Sequence, residues 1–107
     1  MAIEHARPGE TVNVRPLGPA LVGERTKTLI KTAALEVIRL VIPAGKHIPT
    51  HHVPGEITVQ CLEGKVAFTA GENTVDLEAG QLLYLQGNEP HALQGIDDSS
   101  VLVTILK

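Results

Sequence analysis

Turn signals recur through the second half of the chain at intervals that each leave room for one strand and no helix. They fall at Pro43-Ala44-Gly45, Pro54-Gly55, Glu63-Gly64, Gly71-Glu72-Asn73, Ala79-Gly80, Gly87-Asn88-Glu89-Pro90 and Gly95 to Asp98. Between them lie segments rich in β-branched and apolar residues: Ile57 to Leu62, Lys65 to Ala70, Thr74 to Leu77, Gln81 to Gln86 and Val101 to Leu106. Short strands at this spacing predict an antiparallel sandwich or barrel.

One stretch competes for a helix. Thr26 to Leu40 contains Ala33, Ala34, Leu35 and Glu36. A helix there lacks a polar face, and Leu35 to Ile42 is dense in β-branched residues and ends on Pro43, so two strands are expected. Before them, Met1 to Gly23 carries Pro8, Gly9, Pro16, Gly18, Pro19 and Gly23 and reads as an extended N-terminal arm, with one strand at Thr11 to Arg15. The 107 residues suit one domain over 1–107, since two would each be too small to bury a core.

Charge and cysteine usage narrow the function classes. The formal charge is -3 and the nine Lys and Arg are scattered, so no basic face awaits a nucleic acid. The first ten residues hold Glu4, Arg7 and Glu10 and lack the apolar core of a signal peptide, which predicts a cytoplasmic protein. Leu29 to Ile42, the most apolar run, is broken by Lys31, Glu36 and Arg39, and no membrane span is expected. Cys61 stands alone, which excludes an internal disulfide and a multi-cysteine zinc site and predicts a small buried hydrophobe.

The histidines carry the chemistry. His47, His51 and His52 fall within six residues after the Pro43-Ala44-Gly45 turn, and His91 lies in a later loop. Imidazoles gathered from separate strands suit a metal or an acid/base site. With these residues in view the chain resembles the cupin superfamily, whose first motif runs G-x5-H-x-H, then three or four residues, E, six residues, G. Gly45, His51 and Gly64 keep that frame. The second motif, G-x5-P-x-G-x2-H-x3-N, is kept at Gly80 and His91. Val53 stands where the family has its second histidine and Ile57 where it has the glutamate, with Glu56 one place early. Gln86, Asn88 and Gly95 replace the proline, glycine and asparagine.

The resemblance covers about Leu35 to Leu106 and implies a double-stranded β-helix, the jelly-roll barrel of cupins. It also implies a pocket in that barrel. Residues 51, 53 and 57 share parity, so a regular strand points His51, Val53 and Ile57 inward and His52 and Glu56 outward. The expected pocket is lined by Val53, Ile57, Val59, Phe68 and Leu85, with His51 and His91 as the polar pair, and holds a small, partly apolar metabolite. The family implies a divalent metal there (Fe, Mn, Zn or Ni) on His51 and His91, with His52 as the candidate third ligand and His47 or Glu56 as the alternatives. The competing reading is a metal-dependent oxygenase or an isomerase with His51 or His91 as general base. A sensor domain of a transcription factor would need a DNA-binding helix pair, and none precedes Leu35. Tyr84, within Leu82-Leu83-Tyr84-Leu85, is expected to pack. Finally, Leu35 to Ile42 and Val101 to Leu106 are apolar on both faces, which predicts a homodimer packed through their outer faces, with the arm as the alternative cover.

Overall fold

A computed structural model describes residues 5–107. Met1 to Glu4, the first residues of the expected arm, lie outside that range. Nine strands follow one another among the described residues: β1 Lys27–Lys31, β2 Leu35–Ile42, β3 His47–His51, β4 Ile57–Glu63, β5 Lys65–Ala70, β6 Asn73–Glu78, β7 Leu82–Leu85, β8 His91–Gly95 and β9 Ser99–Leu106. They form a five-stranded sheet in the order β1-β2-β9-β4-β7 and a four-stranded sheet in the order β3-β8-β5-β6, with every pairing antiparallel. From β2 to β9 the chain passes repeatedly from one sheet to the other. That winding is the double-stranded β-helix, and the Thr26 to Leu40 stretch resolves into β1 and β2.

The core lies between the sheets and is made by one parity of each strand. Ile42, Ile57, Val59, Cys61, Val66, Phe68, Leu77, Leu85, Leu93, Val101 and Val103 form one buried cluster, with Leu40, Ile48, Val53 and Ile105 packed against it. Cys61 is fully buried within it, and burial pushes its thiol pKa up. Gly64 closes the β4–β5 turn at φ +78°, where a Cβ would collide with the Asp98 carbonyl and Ser99. Ser99 is in turn fixed there, accepting from Lys65 N–H at 2.9 Å and donating to Asp97 O at 2.7 Å.

Three expectations fail. Thr11 to Arg15 forms no strand, and Gly18–Gly23 folds as a 3-10 helix rather than continuing an extended arm. Pro19 near its first position needs no hydrogen-bond partner, and Gly18 at φ +58° turns the chain into it. The third failure is His91, which opens strand β8 instead of sitting in a loop. Only four residues, His91 to Gln94, separate the flanking turn signals there, and the strand takes in Gly95 of the second one. Gly95 fits because a side chain at that place would strike the Pro43 carbonyl.

Candidate functional site

β3 and β8 bring the two histidines together. Pro49 lies inside β3, which is tolerated because β3 is the edge of its sheet. The pairing slips between Ile48, opposite Leu93, and His51, opposite His91. This bulge at the end of the ladder sets His51 and His91 side by side, with ring centroids 4.3 Å apart and planes 61° apart. Behind them, Phe68 of β5 lies nearly parallel to His91, at 5.8 Å and 11°.

Both imidazoles are held in the same manner. His51 Nδ1 is 3.0 Å from Pro49 O, and His91 Nδ1 is 2.9 Å from Glu89 O. A carbonyl can only accept, so each Nδ1 carries a proton, and in the neutral form of each ring the lone pair is the one on Nε2. The two environments differ, however. His51 is exposed, whereas His91 is 5% exposed. Burial first, and then the neighbouring imidazoles of His51 and His52, hold the pKa of His91 below its ordinary value, and the Glu89 carbonyl and charge only partly oppose this.

The other candidate residues stand apart from this pair. His52, Glu56 and His47 are all exposed, His47 opposite Gln94 at the start of β3. No three of His, Cys, Asp and Glu gather around a point that could hold an ion among the described residues, so His52 does not complete a ligand set with His51 and His91. Of the residues expected to line the pocket, Ile57, Val59, Phe68 and Leu85 are at most 8% exposed and belong to the packed core. Val53 alone is half-buried. Val53 and Ile57 pack on the core and His52 and Glu56 are exposed, as their parity predicts, whereas His51, expected inward, is exposed; it ends a strand of one sheet while Ile57 starts a strand of the other, so period two does not run unbroken across residues 52–56.

That crossover is tied to the turn before β8 and to the end of β9. Val53 O accepts from Asn88 N–H at 2.7 Å, and Glu56 O accepts from Leu106 N–H at 2.9 Å. Gly55 and Gly87 have no room for a Cβ, against the Leu106 and Pro54 carbonyls respectively, and Asn88 sits at φ +65°. These tying residues were not singled out from the sequence as parts of the site, although glycine and asparagine flanking His51 and His91 were their signal. Sequence reasoning also missed the groove of about 230 Å³ on the outer sheet face, lined by Glu56, Ile57, Thr58, Tyr84, Thr104 and Leu106. Tyr84, expected to pack, is 63% exposed beside it, because its parity on β7 is outward.

A family model described as "Cupin domain" matches residues 38–106. Compared with curated proteins by sequence, the chain has no match. Among solved structures it is similar to a conserved protein of unknown function from Streptococcus pyogenes, at 23% identity over 100% of this chain and 97% of that one, with a TM-score of 0.76. A cupin superfamily protein from Desulfitobacterium hafniense aligns at 20% identity over 94% and 98%, with a TM-score of 0.77. The DMSP lyase DddQ from Ruegeria pomeroyi aligns at 23% identity over 88% of this chain and 52% of that one, with a TM-score of 0.71. At these identities the likeness is one of fold. No helix among the described residues is long and apolar enough to cross a membrane.

Proposed function

The chain belongs to the cupin family, and from that premise we propose that it is a binding module whose barrel mouth takes a small, partly apolar molecule, with His51 and His91 as its polar end. The observation that carries this reading is the shared tautomer. Both Nδ1 atoms are tied to backbone carbonyls, which leaves Nε2 of each neutral imidazole, on two adjacent rings, as a hydrogen-bond acceptor. Val53 supplies apolar contact at the mouth, and Phe68 stacked behind His91 holds that ring in place. Ile57, Val59 and Leu85 form the wall beneath rather than an open lining.

The same tautomer favours a second reading, a metal-dependent oxygenase or isomerase. Ligating imidazoles donate their other N–H to a carbonyl or carboxylate, as these two do. A catalytic zinc or iron site takes three protein ligands, and the donor set here is two imidazoles. The residues present do not fit such an ion, and the binding module is the better-supported function. As a general base, His91 Nε2 remains compatible with an isomerase.

Native mass spectrometry of the protein incubated with a metabolite mixture tests the proposal. A retained small molecule that is lost in both His51→Ala and His91→Ala is the expected result. Stoichiometric iron or manganese in protein purified without added cations, lost in His51→Ala, would overturn it in favour of the enzyme.

A further inference from the structure

Arg39 occupies the outward parity of β2, between Val37 and Val41, yet it is 7% exposed and Val41 is 4% exposed. The chain ahead of β1 supplies cover. Arg39 Nη2 donates to the Arg15 carbonyl at 2.6 Å, to the Glu63 carboxylate at 3.2 Å and to Ser100 Oγ at 3.2 Å. Glu63 also accepts from Leu17 N–H at 3.0 and 2.9 Å, from Gly18 N–H at 3.0 Å and from the Ser100 hydroxyl at 2.6 Å. Leu17 is right-handed (φ −79°, ψ −22°) and Gly18 is left-handed (φ +58°), so their successive N–H groups curl into a concavity of the kind that binds anions. The anion in it is a side chain of the barrel. One turn later the 3-10 helix buries Leu21.

Burial opposes ionisation of Glu63, but the Ser100 hydroxyl, the two arm amides and the Arg39 guanidinium more than offset it and hold the carboxyl below its ordinary value. Arg39 from β2 is the charged group acting on it, Ser100 faces it from β9 and the arm brings only backbone. On its own strand, Cys61 lies close enough to feel its charge. Nothing in the buried core cluster comes from residues 15–23. Upstream, Thr11 to Arg15 border an open volume of about 510 Å³, and Ala6 is tied to Leu29 of β1 by a bond of 2.9 Å. The segment is thus fixed at both ends and latched in the middle.

We propose that Arg15–Gly23 is a strap over the outer face of the five-stranded sheet, latched while the Glu63 carboxylate is charged and released, with the barrel intact, when that charge is removed. Because the carboxyl titrates below the ordinary range, the latch is closed at neutral pH and opens as pH falls through that lowered value. Opening bares Val41 and Arg39 on a face already apolar at Val37.

Amide hydrogen exchange read by NMR tests this in the full chain. At neutral pH the Leu17 and Gly18 amides should be protected at least tenfold, and Glu63→Gln should remove that protection while the Val59 and Val101 amides keep theirs. A dye that binds exposed apolar surface should brighten in the variant. If Glu63→Gln does not fold, Gly18→Val decides the matter, because it changes only the arm and its Cβ would meet open space, yet it disfavours the left-handed conformation. Unchanged protection at Leu17 in Gly18→Val would overturn the proposal. So would loss of the Val59 and Val101 protection in step with the arm, since the arm would then belong to the same cooperative unit as the barrel.

Discussion

The ring of Phe68, 2% exposed in the core, lies parallel to that of His91 at a centroid distance of 5.8 Å. The apolar interior therefore ends on the face of a site histidine, and a change in one is felt by the other. Phe68→Ala would leave a cavity under His91 and is expected to cost about 3–5 kcal/mol. Chemical denaturation measures that loss. In Phe68→Leu, which keeps most of the volume, the melt should shift little, but ligand affinity should fall if the stack positions the imidazole. Equal affinity in Phe68→Leu and the parent protein would show that His91 needs no such support.

His91 should titrate below the value of about 6.5 of a free imidazole. A histidine whose folded pKa is lowered binds fewer protons when folded than when unfolded. Its contribution to stability is therefore fully present above the unfolded pKa and is lost as pH falls through the folded one. His51→Asn removes one neighbouring imidazole and should move the His91 midpoint upward while leaving it below the free value, because burial is the larger cause. NMR titration of the imidazole resonances reads both shifts, and a His91 midpoint at or above the free value would refute the assignment.

Gly64 and Gly45 share left-handed backbones, at φ +78° and φ +83°, but differ in what surrounds them. A Cβ on Gly45 meets open space, whereas on Gly64 it strikes the Asp98 carbonyl and the Ser99 side chain that fastens the β4–β5 turn. Gly45→Ala should cost only the conformational penalty of about 1–2 kcal/mol. Gly64→Ala should cost clearly more, and Gly64→Val should in addition reduce soluble yield. Thermal melts of the pair check the order, and equal melting temperatures would place the strain elsewhere.

The barrel was legible because turn residues and β-branched runs act locally. Each of Glu63-Gly64 and Ala79-Gly80 marks a strand end by its own backbone chemistry. What was hidden is non-local. His51 and His91 are forty residues apart, and their register depends on a bulge between Ile48 and His51 that no local pattern announces. The placement of the crossover beside His51 rests on backbone contacts between residues 53–56 and 87–88 and with Leu106, where side-chain identity carries little of the signal. Arg39 read only as one of three charges that interrupt an apolar run. Its partners come from three other segments, at Arg15, Glu63 and Ser100.

The outer sheet face divides into two halves, and the second half supports a prediction about assembly. The arm lies over Arg39, with Val41 buried beside it, but Leu82, Tyr84 and Leu106 remain 62%, 63% and 46% exposed around the groove at Thr58 and Thr104. β7 is also the edge of its sheet, so the backbone along its free side is open to pairing. Bare apolar side chains next to an unpaired edge are features that soluble monomers usually cover. A second copy can cover both through a two-fold axis, since the same strand then serves both sides. The expected state is a homodimer at micromolar concentration, with twice the chain mass of 11.4 kDa by light scattering on a sizing column. Leu82→Lys and Tyr84→Lys, both at outward positions, should return it to a monomer without lowering the melting temperature of the barrel itself. A parent protein that elutes at the monomer mass would remove the dimer and leave the groove exposed in solution.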